Sequence, residues 1–195
     1  DRPYQLLALR MGAGKTACAL SAIQKMGVKT LIVAPKRVAE LVWHTEAAKW
    51  DHTKGLRVER VIGSPTQRVE ALARDADVYV INRENFVWLV DRLHNAWPFK
   101  CVVIDENRGF KDRASQSWKA LKKIRPQVRK LFIMTGTPTP NSLLELWPQI
   151  SILDQGKRLG TGITKYRDRW FVPGRRNGMV IYDWVAKPGA AEEIY

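Results

Sequence analysis

Cysteine is scarce in this sequence, long apolar runs are missing, and acidic residues are outnumbered. Only Cys18 and Cys101 occur among 195 residues. Two cysteines build no disulfide framework, and each falls in an apolar stretch that predicts burial as a free thiol in a reducing compartment. His44, His52 and His94 are widely spaced and show no ligand arrangement, so no zinc is expected. No apolar run approaches the roughly 18–20 residues that span a bilayer. Nothing at the start has the layout of a secretory signal, so no membrane partner and a cytoplasmic location are expected. The sequence opens on Asp1 rather than methionine, as a trimmed or excised piece would. Internal repeats and low-complexity tracts are absent.

The acidic deficit is large. Nineteen Asp and Glu stand against 33 Lys and Arg, giving a net charge of +14. Such an excess favours a polyanionic partner, because cations that neutralise phosphates release condensed counterions. A basic but otherwise ordinary surface would give the same composition. With 45% hydrophobic residues the chain can fill one large domain, or one domain and a tail.

Short apolar, β-branched runs at residues 6–9, 30–33, 56–62, 78–81, 101–104 and 131–134 read as strands covered on both faces. Helical patterns lie between them. Ala19, Ile23 and Met26 recur at helical spacing, as do Trp43, Ala47 and Trp50, and then Trp118, Leu121 and Ile124. This spacing predicts that Trp43, Trp50, Trp118 and Trp147 pack in the core and do not stack on bases. A further helix is expected to open at Ser142, with Glu145 completing a capping box and Leu143, Leu146, Trp147, Ile150 and Leu153 as its apolar stripe. The alternation implies an α/β fold with a mainly parallel sheet sandwiched by helices. Ligands then bind outside the carboxyl ends of the strands. From Gly156 the pattern dissolves into an irregular basic extension with one hairpin near residues 178–184. Residues 1–155 are therefore expected to form the main domain and 156–195 the extension.

The segment "LALRMGAGKTACAL" joins a strand to a helix through Met11, Gly12, Ala13, Gly14, Lys15 and Thr16. Gly12 and Gly14 lack Cβ atoms, so the backbone can turn sharply and aim its N–H groups at a phosphate. Lys15 would reach the β- and γ-phosphates, and Thr16 would offer its hydroxyl to Mg²⁺ at the helix N-terminus. Leu9 stands where the motif's first glycine is usual. The competing interpretation is a glycine turn with a surface lysine. In "CVVIDEN", Asp105 and Glu106 follow a buried strand. Asp105 would hold Mg²⁺, and Glu106 would polarise the attacking water as general base. Two carboxylates at a strand end can also be a solvated turn.

Taken in order, "MGAGKT", "LIVAPKRVAELVWHTEAAKW", "VVIDEN" and "MTGTPTPNSLLELW" resemble motifs I, Ia, II and III of superfamily 2 helicases. Within them the likeness is to the SWI/SNF-type DNA translocases, with compact phage-encoded members nearest. It covers Arg2 to about Leu153. The resemblance implies a RecA-like P-loop NTPase domain that uses ATP and Mg²⁺ and moves on DNA, with double-stranded DNA favoured, in a bacterial or phage-infected cell. It further implies that Arg2-Pro3-Tyr4-Gln5 recognises adenine through Gln5. Lys36 and Arg37, Asn82 and Arg83, and Thr137 would lie on the DNA track.

There are departures. Arg10 replaces a usual acidic residue, and Arg108 replaces the histidine that usually couples the acidic motif to motif III. A helix and linker usual between Gln5 and Leu6 are missing, either by a real deletion or because that stretch lies outside this sequence. The segment "GKRLGTGITKYRDRWFVPGRRN" carries seven Lys/Arg and one Asp, interleaved with Tyr166, Trp170 and Phe171. It reads either as a backbone-gripping surface or as a solvated loop. "YDWVAKPGAAEEIY" is similar to the start of a connector to a second RecA-like domain of the same polypeptide. An arginine finger would come from that lobe, so this stretch alone is expected to bind ATP and turn it over weakly. Three alternatives remain at this point: a strand-separating helicase or restriction-type translocase subunit, a non-hydrolysing DNA-binding module, and a small-molecule kinase.

Overall fold

The computed structural model describes residues 3–10, 12–139 and 142–195. In chain order, β1 is Tyr4–Ala8, α1 Lys15–Met26, β2 Thr30–Ala34, α2 Lys36–Leu41, α3 Trp43–Lys49, β3 Val58–Val61 and α4 Pro65–Ala73. There follow β4 (Val78–Asn82), α5 (Phe86–Leu93), β5 (Cys101–Asp105), α6 (Gln116–Ile124), β6 (Lys130–Thr135) and α7 (Leu146–Asp154). Six strands pair in the order β1–β6–β5–β2–β4–β3, every pairing parallel. All six carboxyl ends therefore emerge along one edge.

Successive strand residues face opposite sides, which explains why these strands read as continuous apolar runs. Leu31, Val33, Tyr79, Ile81, Val102 and Ile104 pack under α4, α5, α6 and α7. Ile32, Ala34, Val78, Val80, Cys101 and Val103 pack under α1, α2 and α3. The mainly parallel α/β sandwich is as expected, and no helix among the described residues is long and apolar enough to cross a membrane.

Local expectations fare unevenly. Trp43, Trp118 and Trp147 are buried, but Trp50 is 46% exposed. The helix ends at Lys49 and Trp50 is extended (φ −111°, ψ 133°), so the 43–47 stripe never reaches it. Cys101 is buried, whereas Cys18 is exposed, since Ala19, Leu20 and Ile23 take the inward face of α1. The helix expected from Ser142 opens later: residues 143–145 make a 3₁₀ turn and α7 starts at Leu146. Pro148 explains the delay. Without an N–H it cannot bond back to Leu144, but in the first turn from Leu146 it needs no partner. No capping box forms there, because the Ser142 hydroxyl accepts from Leu144 N and the Glu145 carboxylate lies 3.7 Å from Lys111 Nζ. The reciprocal box occurs at Ser64 and Gln67 instead.

The extension carries more regular structure than its composition suggests. It contains α8 (Ile163–Trp170), β7 (Phe171–Pro173), β8 (Arg176–Asn177), β9 (Val180–Ile181), β10 (Trp184–Ala186) and α9 (Ala190–Ile194). Strand β7 pairs antiparallel with β10 and β8 with β9, a hairpin turning at Gly178. Tyr166, Trp170 and Phe171 are at most 6% exposed and belong to the α4–α7 core. They are thus unavailable for stacking on bases.

Arg125, 4% exposed, ties α7 to β6. Its Nε and Nη2 donate to the carbonyls of Ile152 (2.8 Å) and Leu153 (2.7 Å), its Nη1 donates to Val128 O, and the guanidinium lies over the Tyr4 ring. These are terminal carbonyls of α7 that the helix cannot satisfy itself. Arg125→Ala should cost about 2–4 kcal/mol by orphaning them. Thermal denaturation should show a fall of roughly 5–15 °C, with Arg125→Lys rescuing little, since one ammonium lacks the fork.

Candidate functional site

The glycine loop leaves the carboxyl end of β1. Leu9 N donates to Thr135 O (3.1 Å), and Ala13 N closes a turn onto Arg10 O (3.2 Å). Gly12 and Gly14 have φ of +77° and +74°, which explains their lack of side chains, and Gly14 caps α1 in the left-handed conformation. A Cβ at either would meet nothing within 4 Å, so the loop opens onto free space. Lys15 Nζ donates to Leu9 O and Arg10 O, both at 3.0 Å, folding the ammonium back over the loop. Thr16 follows in the first turn of α1. Met11, like Arg2 and Asn141, lies outside the described residues.

Asp105 ends β5, beside Met134 of β6. Burial pushes its carboxyl up to about 6, the neighbouring Glu106 charge adds to this, and Trp43 and Lys15 oppose it. The Lys15 charge therefore acts on Asp105, although 90 positions separate them in the chain. The fully buried Trp43 turns its indole N–H toward Asp105 without closing a hydrogen bond, and no other described group accepts it. Glu106 has φ 59° and ψ 94°. A non-glycine residue held there costs about 1–3 kcal/mol and persists only where its surroundings impose it.

These groups fit a magnesium–nucleotide. Two adjacent carboxylates, one already proton-seeking, favour a cation, and an open glycine loop with a lysine favours phosphates. Among the described residues no three His, Cys, Asp or Glu side chains could hold a metal together. The ion would rest on Asp105, Thr16 and phosphate oxygens, in keeping with magnesium's preference for few protein ligands.

Gln5 lies within β1, paired with Phe132, and lines a cavity of about 890 Å³ beside Tyr4, Pro138 and Arg158. Residues 5 and 6 are both part of β1. The other candidates share the same sheet edge. Lys36 and Arg37 are exposed at the start of α2, beyond β2. Asn82 ends β4 opposite Ala34; it is buried, and its amide is engaged by Glu84 and Asn85. Arg83 packs over Gly109, where a Cβ would come within 2.8 Å of its Cδ. Thr137 is exposed after β6. Arg10 and Arg108 are both exposed.

Three participants escaped sequence reasoning. The spacing of Trp43 predicts only a core role, and nothing local reveals that its indole N–H faces Asp105. Lys111 donates to Thr137 O. Gln149 is fully buried and joins Asn107 to Pro138. A glutamine on the apolar stripe of α7 was the visible signal for the last.

A parallel sheet whose first strand leads through a glycine loop into a helix is the RecA-like P-loop NTPase architecture. Comparison with known proteins gives the family. The model of the SNF2-related domain matches residues 4–167, and the chain belongs to that family. It is 37% identical to "Putative protein p41" of Acyrthosiphon pisum secondary endosymbiont phage 1, across 90% of this chain and 44% of that protein. It is 30% identical to the DNA excision repair protein ERCC-6-like of Danio rerio, across 88% of this chain and 13% of that protein. The chain thus spans less than half the length of either relative. The Sulfolobus solfataricus SWI2/SNF2 ATPase core in complex with dsDNA superposes with a TM-score of 0.71 at 24% identity, over 86% of this chain and 34% of that one. That likeness establishes the fold.

The raised carboxyl of Asp105 has a consequence for stability. The folded chain holds this proton more tightly than the unfolded chain, so the contribution is full below about pH 4 and lost as pH rises through about 6. Asp105→Asn removes the buried charge. In chelator, its melting temperature should exceed that of the wild type at pH 8 by the equivalent of about 1–3 kcal/mol. Melts repeated toward pH 4 should show the gain disappear.

Proposed function

We propose that this chain is the ATP-binding lobe of a DNA-dependent ATPase that couples hydrolysis to translocation on DNA, double-stranded DNA being favoured. The observation that carries this is the convergence of Lys15 with Asp105 and Glu106 at one sheet edge, in a chain of the SNF2-related family. Gly12, Ala13 and Gly14, with Met11, supply backbone N–H groups to the phosphates, and Lys15 exchanges its carbonyl partners for phosphate oxygens. Gln5, facing the cavity beside β1, reads the adenine edge. Thr16 and Asp105 would hold Mg²⁺, which supplies charge neutralisation on the phosphate oxygens. Glu106 orients water and accepts its proton.

DNA would run along the same edge, over Lys36, Arg37, Arg83 and Thr137, with Asn82 shaping the turn that presents Arg83. Residues 1–155 would form the lobe, its core completed by Tyr166, Trp170 and Phe171, and 156–195 would lead toward a second RecA-like domain of the same polypeptide. That domain would contribute an arginine to the transition state, and this stretch alone would then bind ATP and turn it over weakly. The protein would act in the cytoplasm of a bacterium or phage-infected cell.

Two measurements on the full polypeptide test this. Glu106→Gln should keep nucleotide affinity while turnover falls at least about 100-fold; turnover near wild type would remove Glu106 as base. Replacing Lys36 and Arg37 together by alanine should weaken DNA binding at all sequences. The salt dependence of log K should become shallower by about 2, and an unchanged slope would take both residues off the track.

A further inference from the structure

Beyond Glu106 the chain makes a 3₁₀ turn, Asn107–Phe110. This turn is fixed at several points. Asn107 is 1% exposed, and its Nδ2 donates to Oε1 of Gln149, itself fully buried on α7. Gln149 Nε2 donates onward to Pro138 O and Glu145 O, both at 2.7 Å. Every hydrogen-bonding group of this amide is therefore used, and none reaches solvent. Two residues after the turn's glycine, Lys111 donates to Thr137 O. Phe110 is fully buried in an edge-to-face contact with Phe86. Arg108, between these anchors, is exposed.

The acidic loop is thus tied to consecutive carbonyls of the segment after β6, to Thr137 directly by Lys111 and to Pro138 from Asn107 through Gln149. Glu106 sits between β5 and this anchored turn in a backbone conformation that its surroundings must impose. On its amino side Glu106 N donates to Met134 O, at 3.1 Å. We infer that Gln149 is a positioning residue: through Asn107 it holds Glu106 in its positive-φ conformation and links the general base to the Thr137–Pro138 segment. The inference rests on the proposed function, because it assumes that Glu106 is the base. It gives this chain a connection between the acidic loop and the segment on the DNA side that bypasses Arg108. A shift at Pro138 would pull on Gln149, and thus on the turn that sets Glu106.

The test uses the full polypeptide with Asn107→Ala and Gln149→Met combined. Replacing both amides avoids stranding either one opposite the other, although Pro138 O and Glu145 O lose the Gln149 donor, so a cooperative melt of the double variant is established first. The double variant should bind a fluorescent ADP analogue, and show a KM for ATP, within about threefold of wild type, while kcat with DNA falls about 10–100-fold, as a misplaced catalytic group predicts. A folded double variant with kcat within about twofold of wild type would overturn the inference. So would parallel losses of kcat and nucleotide affinity, which would mark the pair as scaffold. If the double variant does not melt cooperatively, Asn107→Ala alone is measured against the same criteria. A wild-type protein with no ATP turnover would remove the proposed function and this inference with it; an active wild type and an equally active variant would remove the inference alone.

Discussion

Parallel pairing of the six strands is the constraint on which the site depends. A parallel sheet gives every strand the same sense, so each strand ends at the same edge and each following loop starts there. The glycine loop after β1, the acidic pair after β5, the threonine-rich turn after β6 and the basic turns after β2 and β4 are brought together by that fact. An antiparallel neighbour anywhere in the series would send its loop to the far side. The helices on both faces make the arrangement possible, because a parallel strand can be rejoined only by a crossover.

Within that edge, opposing electrostatic needs are balanced by position. Burial and a neighbouring charge make Asp105 a reluctant anion, while Lys15 and the Trp43 N–H lie where they favour the ionised form. The edge therefore holds groups of both signs, carboxylates on β5 and an ammonium on α1. The price of that arrangement falls on the free protein, which carries a buried charge, an indole donor without an acceptor and a strained Glu106 backbone. Anchors placed away from the reacting groups, Arg125 at the end of α7 and the Asn107–Gln149 pair at its middle, keep the surrounding elements in register.

Much of this was legible in the residues. All six strands were located from apolar runs, because strands buried on both faces leave an unbroken signal. The glycine loop and the acidic pair were identified because their chemistry is local: short motifs set between a strand and a helix. Failures came where a neighbour overrode a local pattern. Trp50 has the spacing of a core residue but follows the last turn of its helix. Ser142 and Glu145 have capping spacing, yet Pro148 delays the helix and Lys111 engages the carboxylate. Tyr166, Trp170 and Phe171 sit among arginines in a segment that reads as surface, but they complete the core under α8.

The sequence by itself determined the strands of the parallel sheet, the glycine loop, the carboxylate pair and the basic character of the chain, since each depends on residues close together along the backbone. Tertiary structure alone decided the strand order, the meeting of Trp43 with Asp105 and the route from Asn107 through Gln149 to Pro138. Asn107 and Gln149 are 42 positions apart, and no periodicity or spacing rule connects them. Only the packing of α7 against the end of the sheet brings two buried amides within hydrogen-bonding reach.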